Sequence, residues 1–285
     1  MRFVGRLPRR RDAAALALAC ALAGCAGAPP PAPAVVDLAQ AERIVAAPDR
    51  TQADRIDDRR RRPAALLAFI GLRPGLAAFD VEAGDGYTTE LLARAIGPAG
   101  RVYGQGQPRD GAHPMPRPPA GADGGGPQAP RTPAEALAAR ARRLQAVGVA
   151  AAPIAVVATR DDDPIPPPLT PGRLDLVTLV CGYHDLVRRG VDRRAMNAAI
   201  FQALAPGGTY VIAECTDGPA TDAPAPGGPP RIEASFVRAE VEAAGFRLAA
   251  QATFPRRPAP ADDPGEGDAP SPPEDAFLLK FVKPR

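Results

Sequence analysis

Leu76-Ala77-Ala78-Phe79-Asp80-Val81-Glu82-Ala83-Gly84-Asp85-Gly86-Tyr87 passes from an apolar run to a glycine-bearing turn within a dozen residues. Leu76 to Val81 suits a short buried strand, and Tyr87 to Ile96 has the pattern of a helix stopped by Gly97-Pro98. Gly84 and Gly86 would let a ligand approach the backbone, and the helix start offers unpaired N–H groups. Taken alone, a G-x-G of this kind also serves simply as a tight strand-to-helix turn.

The same alternation continues in both directions. Arg62 to Ile70 reads as a helix that stops at the Gly71–Gly75 turn cluster, and Arg101 to Gly104 reads as a second strand. Thr132-Pro133-Ala134-Glu135 is a capping box with Pro at the first helical position, opening a helix to about Val147. Ile154 to Ala158 and the nearly continuous apolar run Leu174 to Val180 are the third and fourth strands. A helix over Asp192 to Leu204, a fifth strand over Thr209 to Ala213 and a helix from about Ile232 to Ala244 follow. Two last strands span roughly Phe246 to Phe254 and Ala276 to Val282. Strands alternating with helices predict an α/β fold with a doubly wound, mostly parallel, seven-stranded sheet. In such a sheet ligands bind at the carboxyl ends of the strands, near the switch in strand order.

Composition bounds the alternatives. The chain has 37 Pro and 28 Gly among 285 residues, yet 45% of it is hydrophobic, enough for one substantial core between long connections. Residues 106–131, 164–172, 216–230 and 255–273 concentrate the Pro and Gly, and the first of these reads as an irregular insertion holding His113. No G-X-Y period or long apolar span is present, which excludes collagen and a multi-span membrane protein.

The first 24 residues read as an export signal. Arg2, Arg6, Arg9, Arg10 and Arg11 precede an apolar stretch from Ala13 to Ala23, too short to span a bilayer. The stretch ends in Leu22-Ala23-Gly24-Cys25, which resembles a bacterial lipobox; that resemblance implies cleavage before Cys25 and lipid attachment to its sulfur. Ala26 in place of Asp implies an outer-membrane lipoprotein facing the periplasm. Residues 25–50 are then expected to be the lipidated Cys and a flexible Pro/Ala tether, and 51–285 the folded domain. The signal carries +4 of the chain's net +3, leaving −1 and no basic footprint for nucleic acid. Cys181 and Cys215 close neighbouring strands, either as a disulfide or as two buried thiols. No ligand set for a metal is legible.

The glycine-bearing turn, Leu204-Ala205-Pro206-Gly207-Gly208 and Glu240-Val241-Glu242-Ala243-Ala244-Gly245-Phe246 together resemble class I S-adenosylmethionine (SAM) methyltransferases. RPAALLAFIGLRPG (62–75), DVEAGDGYTTELLARAIGPAGRVY (80–103), YHDLVRRGVDRRAMN (183–197) and FLLKFVKP (277–284) are more closely similar to a bacterial group of predicted methyltransferases. The resemblance covers about residues 60–107 and 132–283, and it implies a Rossmann-like sheet with an antiparallel C-terminal strand. It implies SAM as cofactor, with Asp80, Glu82, Gly84, Gly86 and Tyr87 at its methionine end. Glu82 stands where the family has the first Gly of D-x-G-x-G-x-G, so its carboxylate would repel the SAM carboxylate or bond the ammonium group. Gln105 stands near the acid that usually takes the ribose hydroxyls, and Asp161 or Asp162 is the candidate for the adenine amino group. Tyr183, His184 and Asp185 are the catalytic candidates: His184 as general base oriented by Asp185, or as a locally packed residue beside a capping Asp185. The acceptor, a small molecule or an envelope component, is not legible. The alternative function is a non-catalytic methyltransferase-like binding lipoprotein.

Overall fold

The computed structural model describes residues 34–106, 132–214, 232–253 and 276–285. The signal segment, Cys25, His113, Cys215, most of the 106–131 insertion and the loops at 216–230 and 255–273 lie outside the described residues.

Seven strands form one sheet: β1 (Ala77–Val81), β2 (Arg101–Gln105), β3 (Ile154–Val157), β4 (Leu174–Val180), β5 (Leu204–Glu214), β6 (Arg247–Thr253) and β7 (Phe277–Val282). Their order is β3-β2-β1-β4-β5-β7-β6, with β7 alone antiparallel to its neighbours. The order reverses at β1. From there the chain steps outward to β2 and β3, then returns to β4 on the other side, in register Phe79↔Val177 and Asp80↔Thr178. In open α/β sheets ligands bind at such a reversal, which here lies at the carboxyl ends of β1 and β4, the β1–β4 crevice.

Among the described residues, eight α-helices accompany the strands: α1 (Leu38–Val45), α2 (Gln52–Arg61), α3 (Pro63–Ile70), α4 (Tyr87–Ile96), α5 (Pro133–Ala146), α6 (Tyr183–Arg188), α7 (Arg193–Ala203) and α8 (Ala234–Ala243). The period of two along each strand sorts the core into two layers. Ala78, Leu176, Val211 and Leu278 face one layer with Leu67 and Ile70 of α3 and Leu91 and Leu92 of α4. Phe79, Val177, Ile212 and Leu279 face the other with Leu186 of α6, Ile200 of α7 and Val241 of α8. The layer therefore changes with every step along a strand, as burial on both faces requires.

Three expectations need correction. Residues 34–50 are not a flexible tether: Asp37 caps α1, and Val36 and Ala41 are buried in the α3–α4 layer. The fifth strand begins at Leu204 rather than Thr209, because Leu204 pairs with Leu174 before an irregularity at 205–208 brings Thr209 opposite Leu176. Gly207 sits there at a φ of 82°, and a Cβ on Gly208 would lie 2.9 Å from the Ala205 carbonyl, so this turn accepts glycine at both positions. Finally, Tyr183–Arg188, for which no element is expected from sequence, forms the short helix α6.

Candidate active site at the β1–β4 crevice

Asp80 anchors the first loop from below. Its carboxylate is buried at the end of β1 and accepts hydrogen bonds from the Thr89 hydroxyl of α4 (2.6 Å) and the Thr178 hydroxyl of β4 (2.7 Å). Burial pushes its pKa up to about 6, against the opposing effect of those two hydroxyls. Asp80 thus ties the loop to strand and helix without reaching the crevice itself.

Above it the backbone turns left-handed at Glu82 (φ 54°), Gly84 (φ 55°) and Gly86 (φ 82°). Glu82 therefore occupies a conformation that favours glycine, at the position where the resembling family has glycine. Over Gly84 the space is open, since a Cβ there would approach only the Glu82 carbonyl, at 3.9 Å. At Gly86 a Cβ would lie 2.7 Å from Leu137 and 3.0 Å from Arg140, so its lack of a side chain serves packing against α5 rather than a ligand.

Arg140 fixes the far side of the loop. It donates to the Asp85 carbonyl (2.6 Å) and carboxylate (2.8 Å), and to Asp54 of α2 (2.8 Å) and Glu90 of α4 (2.9 Å). Burial pushes the Asp54 carboxyl up, but Arg140 and the Thr51 hydroxyl outweigh it and hold it below its usual range. Tyr87 joins this network instead of the crevice. It is buried, donates to Asp58 at 2.5 Å, and lies under the guanidinium groups of Arg50 and Arg61, 5.4 and 5.0 Å from its ring centre. Its expected place beside a cofactor is corrected accordingly.

Gln105 closes β2 and is fully buried. Its Oε1 accepts from the Glu82 backbone N–H (3.1 Å), and its Nε2 donates to the carbonyls of Thr159 (3.3 Å) and Arg160 (3.2 Å). The amide is spent on bracing the loops after β1 and β3, so it is not directed at a ribose. Of the two acids after β3, Asp161 faces the crevice and Asp162 does not. Asp162 pairs with exposed Arg160 and, with it, lines a shallow cavity against α7. Asp161 binds Arg189 at the end of α6, and Arg189 also donates to Glu82 at 2.5 Å. Burial pushes the Glu82 carboxyl up to about 7, with Arg189 pulling it down and Asp161 pushing it further up.

At the other wall, His184 starts α6 beside the end of β5. Its Nδ1 bonds Glu214 Oε1, and its backbone N–H donates to Glu214 Oε2 at 3.3 Å. Glu214 is buried, whereas the His184 side chain keeps 19% of its surface exposed. Glu214 thus takes the orienting role expected of Asp185, whose carboxylate pairs with Arg188 (2.6 Å) and lies 3.6 Å from His184 Nε2. Tyr183 is no catalytic group. Its ring is fully buried in the core, and its hydroxyl donates to Glu240 (2.7 Å) and accepts from Asn197 (3.4 Å). Burial and Glu240 hold that phenol far above its usual pKa. Cys181, just before this helix, is disulfide-bonded, which sets the thiol alternative aside for it.

No protein-family model matches the sequence, and no curated protein matches it either. Solved structures do resemble it. The chain is similar to a SAM-dependent methyltransferase from Aquifex aeolicus at a TM-score of 0.51 and 14% identity, over 87% of this chain and 98% of that one. The methyltransferase from the Haloferax volcanii complex with the Trm112 activator gives a TM-score of 0.50 and 17% identity, over 82% and 93%. The fold is that of the SAM-dependent methyltransferases. Within the methyltransferase fold, the Gly84 loop, Asp161, His184 and Glu214 all stand at the carboxyl edge of the sheet, on the loops after β1, β3, β4 and at the end of β5. Glu214 and Arg189 were not singled out from sequence. The only sequence signals for them are an acid ending an apolar strand and the second arginine of R-R-G, neither specific to a site.

Proposed function

We propose that the chain is a SAM-dependent methyltransferase acting on a hydroxyl or amine acceptor. The observation that carries this reading is the His184–Glu214 pair, set at the same sheet edge as the open Gly84 loop. SAM supplies a methyl group on a sulfonium. Gly84 and the N-terminus of α4 fit its methionine end, and the carboxylates of Glu82 and Asp161 fit cationic or amino groups. Gln105 braces the site without touching the cofactor. His184 Nε2 takes the proton from the acceptor oxygen or nitrogen, while Glu214 holds Nδ1–H and favours the resulting imidazolium. Because methyl transfer depends mainly on alignment and exclusion of water, one base on a braced edge is sufficient machinery.

A second reading, a methyltransferase-like binding lipoprotein, is favoured by the spent amide of Gln105 and the bridging Arg189. Calorimetry with SAM and S-adenosylhomocysteine separates the two. Binding that Gly84→Arg abolishes supports the enzyme; no heat at millimolar ligand rules it out in favour of the binding module. The location we propose is the periplasmic face of the outer membrane, anchored through Cys25, with the acceptor a small molecule or envelope component and not a nucleic acid. Incorporation of labelled fatty acid that persists in Cys25→Ser would refute the anchor.

A further inference from the structure

Three loops meet above the buried end of β2. Glu82 comes from the loop after β1, Asp161 from the loop after β3, and Arg189 from the C-terminal end of α6. The guanidinium reaches both carboxylates, with Nη2 2.5 Å from Glu82 and Nη1 on Asp161, and all three side chains are at most 17% exposed. The two carboxyls are close enough for Asp161 to push the Glu82 carboxyl up. Glu82 is pressed against the start of α6, its Cβ 3.3 Å from where a Gly182 Cβ would stand. Arg189 therefore spans the crevice where the reversal of strand order places a ligand.

Two acids this close, both largely buried, need a cation. Removing the guanidinium with nothing in its place leaves uncompensated charge in a poorly solvated site. Replacing it with another cation keeps the charge balance. A neutral or anionic ligand offers no such exchange. We propose that Glu82 and Asp161 form the crevice's receptor for an organic cation, and that Arg189 is its resident counter-ion, displaced when the cationic ligand enters. This rests on the methyl-transfer reading and deepens it: SAM carries a sulfonium besides its ammonium, whereas S-adenosylhomocysteine carries the ammonium alone.

The test is calorimetry of SAM and S-adenosylhomocysteine on the full chain, its Arg189→Gln and Arg189→Lys variants, with circular dichroism to confirm folding. Arg189→Gln is expected to tighten SAM binding by about tenfold or more, because the closed form no longer competes. SAM should gain more than S-adenosylhomocysteine, and Arg189→Lys should stay near wild type. Equal or weaker SAM binding by folded Arg189→Gln, beside a wild type that binds, overturns the counter-ion exchange and leaves methyl transfer standing. No binding by any variant at millimolar ligand overturns the methyl-transfer reading and the exchange with it. If Arg189→Gln does not fold, the Arg189 Nε–H resonance of the wild type decides. It should shift on saturation with SAM; an unchanged resonance in the bound protein overturns the proposal.

Discussion

Asp80 joins a strand, a helix and the ligand loop through one buried carboxylate, and its titration should be measurable. Its folded pKa of about 6 lies above the ordinary 3.8, so the folded state holds a proton that the unfolded state releases. Its contribution is complete below about pH 4 and is lost as pH rises toward 6, at most about 3 kcal/mol. Asp80→Asn keeps the shape and removes the titration. Denaturant unfolding should therefore show wild type losing stability relative to Asp80→Asn between pH 4 and 6; parallel curves would contradict the assignment. At the opposite wall, Glu214→Gln retains a hydrogen bond but not the charge that favours imidazolium. Turnover should fall by up to about 10²-fold with SAM affinity unchanged, whereas a merely structural Glu214 would change both. His184 was legible because Y-H-D follows a buried strand. Glu214 was not, because its bond to His184 spans 30 residues and an acid ending a strand is ordinarily solvated.

Among the elements, α2 shows how charge substitutes for an apolar stripe. Its sequence, QADRIDDRRR, presents no hydrophobic face, and its N-terminal half docks through Asp54 to Arg140, 86 residues away. Arg140→Met should cost about 1–3 kcal/mol, since Asp54 then keeps only Arg143, at 3.5 Å, while Glu90 keeps Arg94 and Arg143. Arg160→Ala breaks only an exposed pair and should leave the melting temperature where it was. Thermal denaturation of both variants measures the difference. Helices with caps and stop signals, such as α4 and α5, matched their expected limits within a residue. α6 escaped notice because six residues carry too few turns for a periodic pattern, α2 because it has no apolar period, and α1 because it lies in the stretch expected to be a tether. α1 is held mainly by the layer it completes.

For the whole molecule, the sheet followed from simple alternation, because parallel strands joined by helices leave few topologies open. What alternation could not reveal was the closing of the crevice. Glu82, Asp161 and Arg189 lie far apart in sequence, and only the reversal at β1 brings them together. The same reversal puts the His184–Glu214 pair on the neighbouring wall, so that pair and the Gly84 loop share one edge. A second cavity of about 470 Å³, lined by Arg73, Lys280 and Arg285, opens beside the Ala205–Thr209 turn that leads into the main run of β5. It offers the competing location for a ligand. A crystal structure of the protein with SAM tests the account most directly. The expected result is the ligand over Gly84 between β1 and β4, Arg189 turned away from Asp161, and His184 Nε2 facing the ligand's sulfur. Ligand in the Lys280 cavity, or a crevice still bridged by Arg189 at saturating ligand, would contradict it.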